Sequence, residues 1–124
     1  MQSEYLSRVK KLVINKISIC IGNSNLIEDA MSYSALAESK MVRAGLVFAS
    51  SETNNNLHKD SVTTLAAAVE LMHTYSLIHD DLPCMDNDSV RRGKPSTHVR
   101  YGESTAVLAG NSLLTLAFEI IAEK

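Results

Sequence analysis

The segment that runs from Glu103 towards the C-terminus is apolar around the whole circumference of the helix that it predicts. Its apolar side chains include Ala106, Val107, Leu108, Leu113, Leu116, Phe118, Ile120 and Ile121. A helix that is apolar on every side is buried among other helices. The rest of the sequence predicts only three other helices, which could hardly surround it. We therefore expect the chain to be the N-terminal part of a larger α-helical protein.

The remainder of the sequence also favours helices, since it contains no strict alternation of apolar and polar residues that would indicate a strand. Asp60 and Ser61 provide side chains that can cap the start of a third helix. The predicted segments are helices at 4–21, 26–50 and 60–79, a turn at 22–25, and loops at 51–60 and 82–101. We therefore predict an all-α fold in which residues 1–124 are part of a single domain.

Composition and charge exclude several classes of protein. The 124 residues carry a net charge of −2 at pH 7, so there is no global basic field for nucleic acid. Cys20 and Cys84 are far apart in sequence, which favours free thiols in a reducing cytoplasm over a disulfide. The apolar run 13–21 is too short and too polar for a membrane span or a signal peptide. We expect a cytoplasmic protein that is not an integral membrane protein.

Four aspartates lie within nine residues in the stretch HDDLPCMDND, which spans residues 79–88. Asp80 and Asp81 end the third predicted helix, where the helix dipole disfavours carboxylates by roughly 0.3–1 kcal/mol each. Pro83 disfavours the helical conformation in the residue before it, so the helix ends there. The loop can then carry Asp86 back towards Asp80. Carboxylates this close repel one another unless a cation lies among them.

The residue types around this aspartate cluster select the cation. Aspartates without His or Cys ligands suit Mg²⁺ or Ca²⁺. An EF-hand calcium loop needs glycine at its sixth position, where Arg91 stands when the loop is counted from Asp86. Mg²⁺ uses one or two carboxylates and takes its other ligands from water and phosphate. Because Arg91 and Arg92 offer donors suited to phosphate, we interpret the cluster as a site for a Mg²⁺-bridged diphosphate, with a solvated acidic turn as the alternative.

The stretch LIHDDLPCMDNDSVRRGKPSTH resembles the first aspartate-rich motif of the trans-prenyltransferases, the short-chain isoprenyl diphosphate synthases of the polyprenyl synthetase family. The resemblance rests on Asp-Asp-x4-Asp followed by Arg-Arg-Gly-x-Pro. The flanking stretches AVELMHTYS and YGESTAVLAGNSLLTLAFEII are also similar to this family. The resemblance runs from about Glu28 to Lys124 and matches only the N-terminal portion of longer proteins. It implies the all-α isoprenoid synthase bundle, built around a central cavity.

The resemblance also implies an enzyme of isoprenoid biosynthesis. The implied reaction is Mg²⁺-dependent ionisation of an allylic diphosphate, dimethylallyl or geranyl, followed by 1′-4 condensation with isopentenyl diphosphate. Asp80 and Asp86 would hold Mg²⁺ on the allylic diphosphate, with Asp81 in support. Arg91 would contact the same diphosphate. The residues that would hold isopentenyl diphosphate are Lys40, Arg43, His73 and Arg92. For the full-length protein the resemblance implies a homodimer.

Tyr75 and Ser76 precede the first aspartate and are the residues that the resemblance connects with product length. An aromatic residue five positions before that aspartate is typical of bacterial-type farnesyl diphosphate synthases, whereas geranylgeranyl synthases tend to carry a smaller one. We therefore expect a farnesyl product, with geranylgeranyl diphosphate as the alternative. On an ideal helix Tyr75 lies about 140° from Asp80, so a core position for its ring stays open.

Two features of the sequence depart from the family pattern. The family usually has Gly-Gly-Lys-Arg-x-Arg-Pro where this chain has Glu38-Ser39-Lys40-Met41-Val42-Arg43-Ala44. The family's second aspartate-rich motif, which holds further Mg²⁺, does not occur in the 124 residues, so we expect this chain alone to be inactive.

Several alternatives to a prenyltransferase site therefore remain open. Lys40 and Arg43 could form a solvated helix face, and His73 could be a core histidine. The chain could be a non-catalytic truncated homologue that binds a partner. A class I terpene cyclase is a further alternative, which the Arg-Arg-Gly-Lys-Pro extension disfavours.

Overall fold

The computed structural model describes residues 2–54 and 56–123 of the chain, with side chains from Glu4 onwards. These residues form six helices and one two-stranded antiparallel hairpin. The elements are α1 Gln2–Ile21, α2 Leu26–Ala35, α3 Val42–Ser51, α4 Lys59–Asp81, β1 Val90–Arg91, β2 Lys94–Pro95, α5 Thr97–Tyr101 and α6 Glu103–Ala122. The predicted all-α fold is confirmed, and the short hairpin is an addition to it.

The core lies where α6 packs against α4 and α2, and where α1 packs against α4 and α3. Small residues of α6 are buried there, among them Ala106, Ala109, Gly110 and Ala117. They allow the helix backbones to approach closely, as a densely packed interior requires. The largest fully buried side chains are Val13, Ile17, Leu71 and Leu113. This packing fixes α4, the helix that carries most of the predicted site residues.

The last helix, α6, begins at Glu103 as predicted. One side of it is buried in the core, whereas the side chains of Val107, Leu108, Phe118 and Ile121 are exposed. Within residues 2–54 and 56–123 it is the one helix long and apolar enough to cross a membrane, a property shared by core helices of soluble proteins. The described part of the chain thus covers one side of α6 and leaves apolar side chains exposed on the other, as expected of a helix that three others cannot surround.

The single helix predicted at 26–50 is wrong, because the chain divides it into α2 and α3. Met41, just before α3, has φ 50° and ψ 44°, in the left-handed region that residues with a Cβ disfavour. Its side chain is only 3% exposed, so burial offsets the cost of this conformation. No glycine or proline marks the break in residues 36–41. Tertiary packing, which local propensity does not reveal, separates the two helices.

The cap predicted for the third helix is also wrong. Helix α4 begins at Lys59, and His58 occupies the N-cap position without a side-chain capping bond to any described residue. Asp60 lies instead in the first turn of α4. A carboxylate in the first turn still favours the helix, because it faces the positive end of the helix dipole.

The loop predicted at 82–101 is correct only in part, since it contains the hairpin and α5. Arg92 and Gly93 connect β1 to β2 and have φ of 54° and 77°. Positive φ at both central residues is typical of a type I′ turn, which matches the twist of a tight hairpin. The strands contain two residues each, too few to produce the alternation by which a strand is recognised in a sequence.

Candidate active site

The aspartate cluster lies at the C-terminal end of α4, where the backbone folds back onto the helix. Leu82 leaves the helical conformation with ψ of 150°, directly before Pro83. The Asp86 amide then donates to the carbonyl of Asp80 at 2.8 Å, and the Asp88 amide donates to the carbonyl of Asp81 at 3.0 Å. The predicted return of Asp86 towards Asp80 is confirmed for the backbone. These two bonds also satisfy carbonyls that a helix end leaves unpaired.

Asp81 and Arg91 form an ion pair that joins α4 to the hairpin. The guanidinium of Arg91 donates from Nε to Oδ2 at 2.8 Å and from Nη2 to Oδ1 at 2.7 Å. Asp81 is 2% exposed, whereas 34% of the Arg91 side chain is exposed. The hydrogen bond with Asp81 raises the pKa of Arg91, against a smaller opposing effect of burial. Because arginine has five N–H donors and this pair uses two of them, Arg91 keeps donors for a further anion.

The hairpin is also bonded to α2. The hydroxyl of Tyr33 donates to the carbonyl of Pro95 at 2.7 Å. The hydroxyl oxygens of Ser34 and Thr97 lie 2.5 Å apart, which ties α2 to the start of α5. The hairpin that carries Arg91 is thus held from two sides, by α4 and by α2.

The charges of three arginines act on His73, which lies two turns before Asp80 on α4. Partial burial lowers the pKa of His73 first, followed by the positive charge of Arg43. The charges of Arg92 and Arg91 lower this pKa further, and only the nearby Glu70 raises it. Residues that the sequence analysis assigned to phosphate binding, from α3, α4 and the hairpin, therefore act on one imidazole.

The predicted site residues in and just before α3 differ in their surroundings. Arg43 lies in the first turn of α3, and its positive charge lowers the pKa of His73. Lys40 is exposed in the link between α2 and α3. Glu38, which replaces a family glycine, lines a cleft that also includes Arg92. A negative charge is therefore present close to the arginines.

The cleft lies between α2, α4 and the hairpin and has an empty volume of about 660 Å³, counted out to open solvent. Its charged lining residues are Glu38, Asp81, Arg91, Arg92 and Lys94. The rest of its lining is mainly small or apolar, as is usual for small-molecule sites. The Asp81–Arg91 pair forms part of its wall, so the cleft and the aspartate cluster are neighbours.

The residues predicted to control product length lie on another side of α4. The Tyr75 ring packs edge-on against His79 with centroids 5.1 Å apart, and it contacts the core. His79 Nε2 lies 3.1 Å from the carbonyl oxygen of Val107 on α6. The Ser76 hydroxyl donates to the carbonyl of His73 at 2.6 Å. Neither Tyr75 nor Ser76 is among the described residues that line the cleft, so their role in product length stays a prediction.

The donor set at the end of α4 fits a hard cation held jointly with a phosphate. Among the described residues, no three His, Cys, Asp or Glu side chains are grouped closely enough to enclose a metal. Asp80 and Asp86 are both exposed, whereas both oxygens of Asp81 are engaged by Arg91. Mg²⁺ commonly uses one or two carboxylates and completes its octahedron with water and substrate phosphate. The site therefore fits Mg²⁺ with a diphosphate better than a metal held by protein ligands alone.

Sequence reasoning missed one buried acidic residue close to this site. Glu70 of α4 is 5% exposed, and its Oε2 accepts a hydrogen bond from the Ala44 amide at 3.0 Å. The signal in the sequence is a lone carboxylate within the apolar run AAAVELM. Charged residues are almost never fully buried without a partner, so a carboxylate in such a run indicates that a hydrogen-bond donor lies close to it.

Comparisons with known proteins show which family and which relatives this chain resembles. The polyprenyl synthetase family model matches residues 24–124. The chain is 50% identical over 115 residues to the chloroplastic geranylgeranyl pyrophosphate synthase of Capsicum annuum, covering 90% of this chain and 31% of that protein. It is 45% identical over 117 residues to the farnesyl diphosphate synthase of Buchnera aphidicola subsp. Schizaphis graminum, covering 94% of this chain and 40% of that protein. The crystal structure of an FPP/GFPP synthase from Zymomonas mobilis, 35% identical, matches with a TM-score of 0.92 over 99% of this chain and 46% of that chain. The chain thus spans less than half the length of each of these proteins.

Proposed function

Because the chain belongs to the polyprenyl synthetase family, we propose that it forms one wall of the active site of a farnesyl diphosphate synthase. In this reaction an allylic diphosphate, dimethylallyl or geranyl, ionises and condenses head to tail, 1′-4, with isopentenyl diphosphate. The observation that carries the proposal is the return of the Asp86 backbone to the end of α4, the helix on which the charges of Arg43, Arg91 and Arg92 act at His73. Carboxylates for a metal and cations for phosphate then share one end of α4.

Asp80 and Asp86 would hold Mg²⁺ on the allylic diphosphate. The metal would neutralise charge on the departing diphosphate and so lower the barrier to breaking the allylic C–O bond. Arg91 would donate its remaining N–H groups to the same diphosphate. Asp81 holds the plane of that guanidinium through two hydrogen bonds, so its support is indirect.

Arg43, Arg92 and His73, together with Lys40, would hold the diphosphate of isopentenyl diphosphate. The lowered pKa of His73 favours the neutral imidazole near pH 7. A neutral imidazole offers one N–H donor to a phosphate oxygen, while the positive charge comes from the arginines. The subsite would thus combine two guanidiniums with an uncharged donor.

The product would be farnesyl diphosphate, with Tyr75 and Ser76 limiting the length of the prenyl chain. The position of Tyr75 on α4, five residues before Asp80, supports this assignment. A geranylgeranyl product is the second candidate, because the chain is 50% identical to the Capsicum annuum protein of that name. Analysis of the products formed from dimethylallyl and isopentenyl diphosphates distinguishes the two.

Catalysis would need the rest of a polyprenyl synthetase domain, because this chain spans less than half the length of its relatives. We further propose that the complete protein is a cytoplasmic homodimer that binds no nucleic acid and is not an integral membrane protein. The net charge of −2 on the 124 residues of this chain supports the absence of nucleic-acid binding. Sedimentation of the complete protein tests the homodimer, and cell fractionation tests the cytoplasmic location and the absence of membrane insertion.

The proposed function is tested by joining this chain to the remaining part of a polyprenyl synthetase domain. Condensation of geranyl diphosphate with labelled isopentenyl diphosphate should require Mg²⁺. It should fall more than about a hundredfold in Asp80→Ala or Asp86→Ala, since each change removes a metal ligand that stabilises transition-state charge. Asp60→Ala is a matched control, because Asp60 is an exposed aspartate at the opposite end of α4.

Two results would contradict this proposal. Turnover close to the wild-type value in Asp80→Ala would refute the metal assignment. Binding of both diphosphates without any turnover in the joined protein would identify the chain as a non-catalytic homologue.

A further inference from the structure

Glu70 is a buried carboxylate to which none of the roles above assigns a task. It is 5% exposed and lies on α4 among Ala66, Ala67 and Leu71, which are fully buried. Taking a carboxylate out of water is costly unless it gains a strong partner. Its Oε2 accepts a hydrogen bond from the Ala44 amide at 3.0 Å, and the bond joins α4 to α3.

The Ala44 amide is one of the donors that the start of a helix leaves without an intrahelical partner. Ala44 is the third residue of α3. Met41 at the N-cap makes no side-chain capping bond to any described residue, and it has the left-handed conformation. Glu70 therefore takes the place of an N-cap side chain, although it comes from another helix. The negative carboxylate also faces the positive end of the α3 dipole, which favours this arrangement.

The bond lies next to two residues of the proposed diphosphate subsite. Arg43 immediately precedes Ala44 in the first turn of α3. His73 lies three residues after Glu70, which is close to one turn of α4. The charges of Arg43 and Glu70 both act on the His73 imidazole, as do those of Arg91 and Arg92. The Glu70–Ala44 bond is thus a direct connection between the helix that carries Arg43 and the helix that carries His73.

We propose that Glu70 is a positioning residue, which fixes the first turn of α3 so that Arg43 is held beside His73. This inference rests on the proposed function for the identity of the anion that Arg43 and His73 bind. The geometric part of the inference, the placing of Arg43 by Glu70, concerns the described chain alone.

The first test measures placement without any ligand, in the joined protein. The titration of His73 is followed by NMR in the wild type, Arg43→Ala, Glu70→Ala and the double variant. In the wild-type background, Arg43→Ala should raise the His73 midpoint, because it removes a positive charge. In the Glu70→Ala background the same change should have a much smaller effect, since Arg43 is no longer held beside the ring. An equal effect in both backgrounds would overturn the proposal.

The second test measures anion binding in the joined protein, with isopentenyl diphosphate as the probe. Glu70→Ala should weaken binding about tenfold, and Glu70→Gln should stay within about twofold of the wild type because it keeps the acceptor oxygen. In an Arg43→Ala background, Glu70→Ala should cause little further loss. Full additivity of the two losses would mean that Glu70 does not act through Arg43.

A second variant and the independence of the two tests keep the proposal falsifiable. Should Glu70→Ala fail to fold, Glu70→Met removes the acceptor carboxylate instead while keeping most of the side-chain volume. In that variant Arg43→Ala should again have a reduced effect on the His73 midpoint, and an undiminished effect would overturn the proposal. If the wild type does not bind isopentenyl diphosphate, the proposed function fails, whereas the His73 titration still decides the role of Glu70.

Discussion

The Asp81–Arg91 pair allows a quantitative prediction, because its two partners differ strongly in burial. Arg91→Ala leaves the carboxylate of Asp81, which is 2% exposed, without a partner. Breaking a buried pair in this way costs about 3–5 kcal/mol. Asp81→Ala leaves Arg91 unpaired, but 34% of that side chain is already exposed and can be hydrated further. Its cost should then be limited to the lost hydrogen bonds, about 1–2 kcal/mol after allowance for solvent screening.

The expected result is an asymmetry in the free energy of unfolding. Arg91→Ala should be less stable than Asp81→Ala by about 1–4 kcal/mol. Urea denaturation at pH 7, with equal m-values as a check on compactness, measures both variants on the same scale. Lys94→Ala, an exposed neighbour in the hairpin, should change stability by less than about 0.5 kcal/mol. A cost for Asp81→Ala that equals or exceeds that of Arg91→Ala would refute the reasoning.

Three further predictions follow from other contacts of α4. Gly110→Ala should destabilise the chain in thermal denaturation, because a Cβ there would clash with the His79 ring and displace it from the Val107 carbonyl; a melting temperature equal to that of the wild type would contradict this. Because the pKa of His73 is lowered in the folded chain, the unfolded chain takes up the proton first as pH falls through about 6.5, so stability should fall there. The loss of unfolding free energy measured between pH 7 and 5.5 should be smaller in His73→Gln than in the wild type. An equal loss in the two proteins would contradict the role of His73. Tyr75→Ala in the joined protein should lengthen the product beyond farnesyl, as measured by chromatography of the released alcohols, and an unchanged C15 product would exclude Tyr75 as the limit.

The sequence predicts the helical fold and the aspartate loop because their signals are local. Apolar periodicity indicates the helices, and Pro83 indicates where α4 ends. The Arg-Arg-Gly stretch contains the glycine of a tight turn, although the two-residue strands of the hairpin give no periodic signal. These features depend on residues that are adjacent in the chain, so a single sequence contains the information.

The features that escaped prediction depend on contacts between distant segments. The break between α2 and α3 is stabilised by burial of Met41 and by the hydrogen bond that the Ala44 amide donates to Glu70. Ala44 and Glu70 are 26 residues apart in the sequence. The engagement of Arg91 by Asp81 likewise appears only when the hairpin packs against α4. Neither contact has a local sequence signature, so the order of residues alone could not distinguish a free arginine from a paired one.

The backbone bonds from Asp86 and Asp88 to the end of α4 have a consequence for how this loop can vary during evolution. Main-chain atoms set its shape, and the side chains of Cys84 and Met85 are exposed. Exchange of either residue for another of moderate size therefore leaves the path of the chain intact. Insertion or deletion of one residue between Asp81 and Asp86 shifts every later amide past its carbonyl partner. The length of this loop is therefore a stricter structural requirement than the identity of its intervening residues.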